Sequence, residues 1–382
     1  MRARKVLHVI PSVGPQRGGP SVMIRTLTRA LSQTGMEVHV ATTDDNGTER
    51  LPVPHGVAQH EEGATYWYFP RQTRFYTFSW PLTLWLARHV REFDLVHIHA
   101  LFSYAALPAA VLARRAGVPY IVRPLGTLNR WGVENRRRRL KKLSFRLIEG
   151  RILAGAAGVH YTCEQERLEA GELGVSTKPL VIPNAVDLPP RDELSTGPSR
   201  ERKGILFLSR MDRKKGIELL LEAFACVRQK WPDALLILAG SGDPKWIATL
   251  RAQADELGIA SGVHWAGFLA GEEKWSAFSS AEVFVLPSFS ENFGIALVEA
   301  LACGCPVVIS DQVGIHREIT RAEAGLVTRC RAGELATAIL RVLDDSVLRS
   351  RMSENGARLV RQQFSPEAVG RQLAVAYAAA IG

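Results

Sequence analysis

The chain has 382 residues, more than a single hydrophobic core sustains, so two domains are expected. Its 46% apolar and 23% charged residues describe an ordinary globular protein rather than a disordered one. No uncharged apolar run approaches the roughly 18 to 20 residues a membrane-spanning helix needs. The formal net charge of +10 sits entirely in the first half, where residues 1–190 hold 25 Lys+Arg against 15 Asp+Glu and the remainder 23 against 23. A basic half favours an anionic partner: a membrane surface, a phosphate-bearing acceptor or a nucleic acid. Motifs that read bases are absent, which sets nucleic acid aside. Five scattered cysteines (Cys163, Cys226, Cys303, Cys305, Cys330) fit reduced thiols in a cytoplasmic protein better than a disulfide framework. Cys303 and Cys305 lack a second Cys or His pair and read as small residues at a helix end, so no metal is expected there.

The N-terminal MRARKVLHVIPSV places basic residues before a short apolar stretch, but Gly, Pro and Arg follow it, so it reads as a first strand rather than a signal peptide. VLHVI (6–10) leads through a Gly-rich turn into a helix near 20–34, then EVHVATT (37–43). DLVHIHA (94–100), a small-residue helix near 104–116, PYIVRP (119–124), GVHYTC (158–163), a helix from Glu164 and PLVIPN (179–184) complete the first half. Short β-rich runs, apolar on both faces and alternating with helices, predict a doubly wound parallel sheet. The polar, Pro- and Gly-containing stretch 188–204 reads as a linker between a domain at 1–187 and another at 205–365. Strands at 203–209, 234–240, 263–267, 283–288 and 306–310 alternate with helices near 216–230, 244–257 and 294–303 to make a second such sheet. An Ala-rich helix over 366–382 is long enough to return to the first domain.

Three features of the second half converge on a phosphate. SRMDRKKG (209–216) follows a strand and opens a helix, and Arg210 with Lys215 can neutralise a diphosphate, although a solvated basic loop has the same composition. AGSGD (239–243) offers Gly240 in a turn where a ligand can approach the backbone. In SFSENFGIALVEALACGCPVVIS (288–310), Glu291 stands at an expected helix start and Glu299 eight residues on, about 12 Å along a helix axis. That spacing suits one carboxylate on sugar hydroxyls and one on a ribose diol, with N–H groups near Asn292, Phe293 and Gly294 meeting phosphate oxygens between them. Glu299 as a satisfied core carboxylate stays open as the alternative.

These residues resemble glycosyltransferase family 4, over nearly the whole chain. The resemblance rests on R17-G18-G19-P20 after the first strand, P183-N184-A185-V186-D187 at the domain junction, S209-R210-M211 through K214-K215-G216, and Glu291 to Glu299 as an E-x7-E signature followed by A302-C303-G304-C305-P306-V307-V308. Ala185 and Ser209 stand where the family usually has Gly. It implies an α/β chain of GT-B fold, two Rossmann-like domains facing a cleft, and retaining transfer from a nucleoside-diphosphate sugar without a metal or other cofactor. Arg210 and Lys215 would hold the diphosphate, Glu291 the donor sugar and Glu299 the ribose, while Gly18 and Gly19 let the first domain's backbone approach the donor. No D-x-D metal motif accompanies them; Asp44-Asp45 and Asp344-Asp345 read as loop residues.

The acceptor half offers fewer signals. His97 and His99 share a face of one strand, and His99 at its end could bond a hydroxyl or simply bridge local backbone. Where many family members place a His after the strand IVRP, this chain has Arg123 and Gly126, which resembles a subgroup of exopolysaccharide and O-antigen assembly and points to Arg123 beside a phosphate in the cleft. The aromatic segment 66–86 suits sugar rings, a membrane interface or the domain core. A basic stretch at 135–153 with Leu140, Leu143, Leu147 and Ile148 at helical spacing suits an anionic membrane surface or a solvated face. Together these lead to an expected cytoplasmic enzyme, peripheral on the inner face of the plasma membrane, using a UDP- or GDP-sugar and a glycan or lipid-linked acceptor. A sugar-nucleotide epimerase and an inactive nucleotide-sugar-binding relative are the competing readings. A dehydrogenase is set aside, because GPQRGGP (14–20) lacks the G-x-G-x-x-G spacing.

Overall fold

The computed structural model describes residues 3–128, 143–172, 174–175, 178–189 and 204–382, and the chain divides into two compact units, 1–185 with 366–382, and 186–365. Most of the expected linker, and Leu140 of the basic stretch, lie outside the described residues.

In the first unit the strands are β1 (Lys5–Ser12), β2 (Glu37–Thr43), a short hairpin of β3 (Asp45–Asn46) and β4 (Glu49–Arg50), β5 (Ala58–Glu61), β6 (Ala64–Phe69), β7 (Leu95–His99), β8 (Tyr120–Arg123), β9 (Gly158–Tyr161) and β10 (Pro179–Val181). Eight of them form one sheet in the order β10-β9-β8-β7-β1-β2-β6-β5. Every pairing is parallel except β5 against β6, an antiparallel edge that the sequence pattern did not announce, because AQHE carries no apolar alternation. Val6, Leu7, Val9 and Ile10 of β1 are buried on both faces, the burial a central parallel strand demands.

The aromatic segment 66–86 is mostly core. Tyr66, Tyr68 and Phe69 lie in β6, and Leu82, Trp85 and Leu86 in the helix Trp80–His89, all buried. Phe75 and Trp80 stay exposed. Asp44 and Asp45, expected as loop residues, are instead buried beneath the first turn: Asp45 pairs with both Arg71 and Arg17, and Asp44 accepts from the Arg71 backbone N–H at 2.8 Å. Asp344 and Asp345 likewise belong to helix ends. Asp344 closes the helix Ala332–Asp344, and Asp345 caps Ser346–Leu359 by accepting from Leu348 N at 2.8 Å.

The second unit holds β11 (Ile205–Leu208), β12 (Leu236–Ala239), β13 (Val263–Gly267), β14 (Val283–Leu286), β15 (Val307–Ser310) and β16 (Gly325–Thr328), all parallel, in the order β13-β12-β11-β14-β15-β16. Beyond the strands expected from the sequence, β16 and the two helices after it complete the sheet and its cover.

The helix Pro366–Ile381 packs in the first unit on the helix Gly19–Ser32. Gly370 makes the approach close: a Cβ there would stand 2.7 Å from the Ala30 carbonyl oxygen. Tyr377, from the same helix, reaches His97 of β7. Gly370→Val should therefore force the two helices apart and cost about 1–3 kcal/mol of stability, measured by denaturant unfolding. An unchanged midpoint would show that the contact can relax freely.

Candidate functional site

In the second sheet the chain runs outward from β11 through β12 and β13 on one side, then returns to β14 and runs outward on the other. The loops leaving β11 and β14 are therefore neighbours at the carboxyl edge of the sheet, the switch point where doubly wound folds bind ligands. The β11 loop carries Arg210, Lys214 and Lys215; the β14 loop carries Glu291.

Backbone bonds fix both loops. Asp212 caps a short turn by accepting from Lys214 N, and Phe289 N donates to the Lys214 carbonyl at 2.8 Å, joining one loop to the other. Gly216 is left-handed, and a Cβ on it would stand 2.3 Å from the Pro287 carbonyl oxygen. Glu291 is held through its backbone, N to Gln312 O at 3.1 Å and O from Gly314 N at 2.8 Å. Its carboxylate forms an ion pair with the buried Lys215 ammonium. Burial pushes the Glu291 carboxyl upward, but the charge and hydrogen bond of Lys215, aided by Lys214 and Arg210, outweigh it and hold the group below its ordinary 4.5. Burial lowers the Lys214 ammonium. Three cations thus surround one carboxylate, a surplus of positive charge suited to a diphosphate.

One expectation changes. Glu291 does not begin a helix: the helix is Ile295–Ala302, with left-handed Gly294 before it and no side-chain cap, so the helical-rise estimate of the Glu291–Glu299 spacing does not apply. Gly240 gains a structural role: a Cβ there would lie 1.8 Å from the Ser209 carbonyl oxygen, so its missing side chain lets the β11 and β12 loops close on each other. Phe293 turns its ring into the core against Phe364, leaving its backbone for the turn. Asn292 follows Glu291 in the same loop. Glu299, nearly buried on the helix, pairs with Lys274 at 2.6 Å. Lys274, from the helix Gly271–Ser280, was not singled out in the sequence, where EEKW has the composition of a solvated helix start.

In the first unit, Gly18 has φ 68° and ψ −129°, a backbone state few side chains tolerate, and a Cβ added to it meets nothing within 4 Å. Gly19 opens the following helix and is exposed. Asp45 anchors this turn from below through Arg17 at 2.6 Å.

His99 and Arg123 are both fully buried, so Arg123 is not presented to a phosphate as expected, and of the two readings of His99 the local bridge fits. Strand register sets His8 beside His97, and His99 beside Arg123. His8 Nδ1 and His99 Nε2 are 2.9 Å apart, His97 Nδ1 meets Tyr377 Oη at 2.6 Å, and His160 Nε2 meets the Ile182 carbonyl at 2.7 Å. Arg123 donates to Met23 Sδ and Asn184 Oδ1, and burial lowers its guanidinium to about 10. Among the described residues one nitrogen each from His8, His97 and His99 lie within 4.8 Å of one another, the spacing of a metal triad. The adjoining Arg123 charge opposes a cation there, and His97 spends both nitrogens on Tyr377 and His160.

Two parallel α/β units of this kind make the GT-B fold. HepE from Anabaena, solved in complex with UDP and glucose, matches with a TM-score of 0.76 at 19% identity, over 98% of this chain and 99% of that one. The profile described as "Glycosyl transferase 4-like domain" matches residues 18–185, and "Glycosyl transferases group 1" matches 192–359. The chain belongs to glycosyltransferase family 4. It is 37% identical over 189 residues to a phosphatidyl-myo-inositol mannosyltransferase of Mycobacterium leprae, across 47% of this chain and 48% of that protein. It is 28% identical to a D-inositol 3-phosphate glycosyltransferase of Jonesia denitrificans, across 94% and 91%. The chain spans about half the length of the first curated relatives it matches.

Burial drops His8 from 6.5 to about 3, with Arg123 adding to the effect, and burial lowers His97, His99 and His160 well below 6.5. The unfolded chain takes up protons below 6.5 that the folded chain refuses, so stability is full above that pH and falls as pH drops. Each such histidine contributes a slope of up to about 1.4 kcal/mol per pH unit. Denaturant unfolding between pH 7.5 and 5 should show the loss, and His160→Gln should flatten it; a slope that the substitution leaves untouched would mean that His160 is protonated in the fold.

Proposed function

We propose that the chain is a retaining, metal-independent glycosyltransferase that moves a sugar from a UDP- or GDP-sugar to a glycan or lipid-linked acceptor in cell-surface polysaccharide synthesis. The carrying observation is the charge cluster at the β11–β14 switch point, where Arg210, Lys214 and Lys215 gather around Glu291. In this reading Lys215 and Arg210 take the diphosphate and stabilise the charge that develops as the glycosidic bond to it breaks. Glu291, kept ionised, accepts from donor-sugar hydroxyls. Glu299 accepts from the ribose. The N–H groups ahead of the helix Ile295–Ala302, from Asn292 to Gly294, meet phosphate oxygens at its positive end. In the first unit, Gly18 offers bare backbone, since an added Cβ there meets nothing within 4 Å. Positive side chains thus fill the role a divalent ion plays elsewhere, and attack on the face the leaving group departs from retains configuration.

The UDP complex of HepE supports a nucleotide donor. A membrane-proximal setting is supported by exposed Leu143 and Leu147 near Arg146, together with exposed Phe75 and Trp80; Tyr76 ties the two segments by donating to Glu149 at 3.2 Å. Among the described residues no helix is long and apolar enough to cross a membrane.

The test is a thermal-shift titration with UDP, GDP, ADP, CMP and NAD. Selective stabilisation by one nucleoside diphosphate, about 2.7 kcal/mol at a hundredfold excess over Kd, supports the reading. A response to NAD alone, or to none, overturns it. With the donor known, labelled sugar should enter a new product only when acceptor is added; an epimerised free donor would instead favour an epimerase. Lys215→Ala and Glu291→Gln should each lower kcat by about 10²–10³ while the chain stays folded by circular dichroism. EDTA should leave turnover unchanged, and a loss restored by added divalent ions would remove metal independence.

A further inference from the structure

Glu299 is the carboxylate assigned above to the ribose, and its setting is an apolar helix face. It sits on a helix whose Leu297, Val298, Ala300 and Leu301 are completely buried, and it is itself only 7% exposed. A carboxylate in such surroundings needs a polar partner to satisfy it and a fixed one to keep its direction. Lys274 supplies both. Its ammonium stands 2.6 Å from Glu299 Oε1, and only 22% of its side chain is exposed. The same ammonium lies over the Trp275 ring at 4.4 Å, and Trp275 is anchored in the core beside Phe278. The lysine is thus steered from two sides.

The two carboxylate oxygens differ in consequence. Oε1 is taken by Lys274, whereas Oε2 accepts no hydrogen bond among the described residues and is not among the buried atoms left without a partner, so it keeps contact with solvent. We infer that Lys274 is a positioning residue for nucleotide recognition: it holds Glu299 by one oxygen so that the other faces the hydroxyls of a bound ribose. The inference rests on the assignment of Glu299 to the ribose and adds to it the residue that makes the assignment physically sustainable. Lys274 lies outside the Arg210, Lys215 and Glu291 cluster, so its removal acts on recognition of the sugar–base half of the ligand rather than on charge at the diphosphate.

The discriminating measurement is calorimetric binding of UDP, GDP and ADP, each against its 2′-deoxy counterpart, to the wild type and to Lys274→Met. The wild type should bind one ribonucleotide about tenfold more tightly than the deoxy form, the worth of one hydrogen bond to a charged group. Lys274→Met should weaken the ribonucleotide by about that factor and leave the deoxy form nearly unchanged, bringing the ratio close to one; Lys274→Arg should restore the preference. A lysine that merely stabilised the fold would weaken both forms alike. A Lys274→Met chain that keeps the preference overturns the inference. Absence of binding by every diphosphate to the wild type would sink the functional reading instead, and a wild type indifferent to the 2′-hydroxyl would remove Glu299 from the ribose. Should Lys274→Met unfold, the ratio is read on Lys274→Gln, whose amide keeps a donor but no charge; a full wild-type preference there would equally overturn the requirement for the ammonium.

Discussion

A cluster of like charges survives at a protein edge only where the backbone around it is tied down, and in the second unit that tie is the pairing of β11 with β14. Because these strands are neighbours while their onward chains diverge, the loops leaving them meet with no intervening element. The bond from Phe289 N to Lys214 O fuses the two loops, Gly216 removes the side chain that would part them, and Glu291 is pinned from behind by Gln312 and Gly314. Only then does one carboxylate pair with Lys215 in the field of Lys214 and Arg210. Lys215 alone would be a buried charge without compensation; with Glu291 it becomes a fixed one.

Legibility of the sequence followed the physics of each signal. Central strands are apolar on both faces, so β1, β2, β7, β11 and β14 could be read directly, and EVHVATT fell on β2 residue for residue. The edge strand β5 shows too little apolar pattern to be seen. Arg210, Lys215, Glu291 and Glu299 could be named because motif spacing brings them together, but spacing says nothing of partners. Lys274 is 25 residues from Glu299 in the chain, and no local pattern announces their pairing. Gly240 was visible as a glycine, but its packing against Ser209 was not, since close approach by a ligand and close approach by a neighbouring loop demand the same absent side chain.

The first unit shows the opposite failure. A histidine at a strand's carboxyl end and an arginine in a family loop both carry a functional flavour in sequence, yet His99 and Arg123 point into a fully buried polar layer with His8, His97, His160 and Tyr377. Alternation along a strand predicts that residues share a face; it does not say whether that face meets water or a helix. Here the face is closed by the helices Gly19–Ser32 and Pro366–Ile381, through Met23 and Tyr377. The layer trades the ordinary ionisation of imidazole for a lattice of neutral rings around one cation.

The origin of Tyr377 carries a consequence for biosynthesis. The first unit is discontinuous: its last helix, Pro366–Ile381, is separated from the rest by the whole of the second unit. On a ribosome, residues 1–185 emerge long before the helix that closes over His97, so this segment must wait with its polar layer uncovered while 186–365, a continuous stretch, can fold as it appears. The first unit, begun first, is thus completed only by a helix made after the whole of the second.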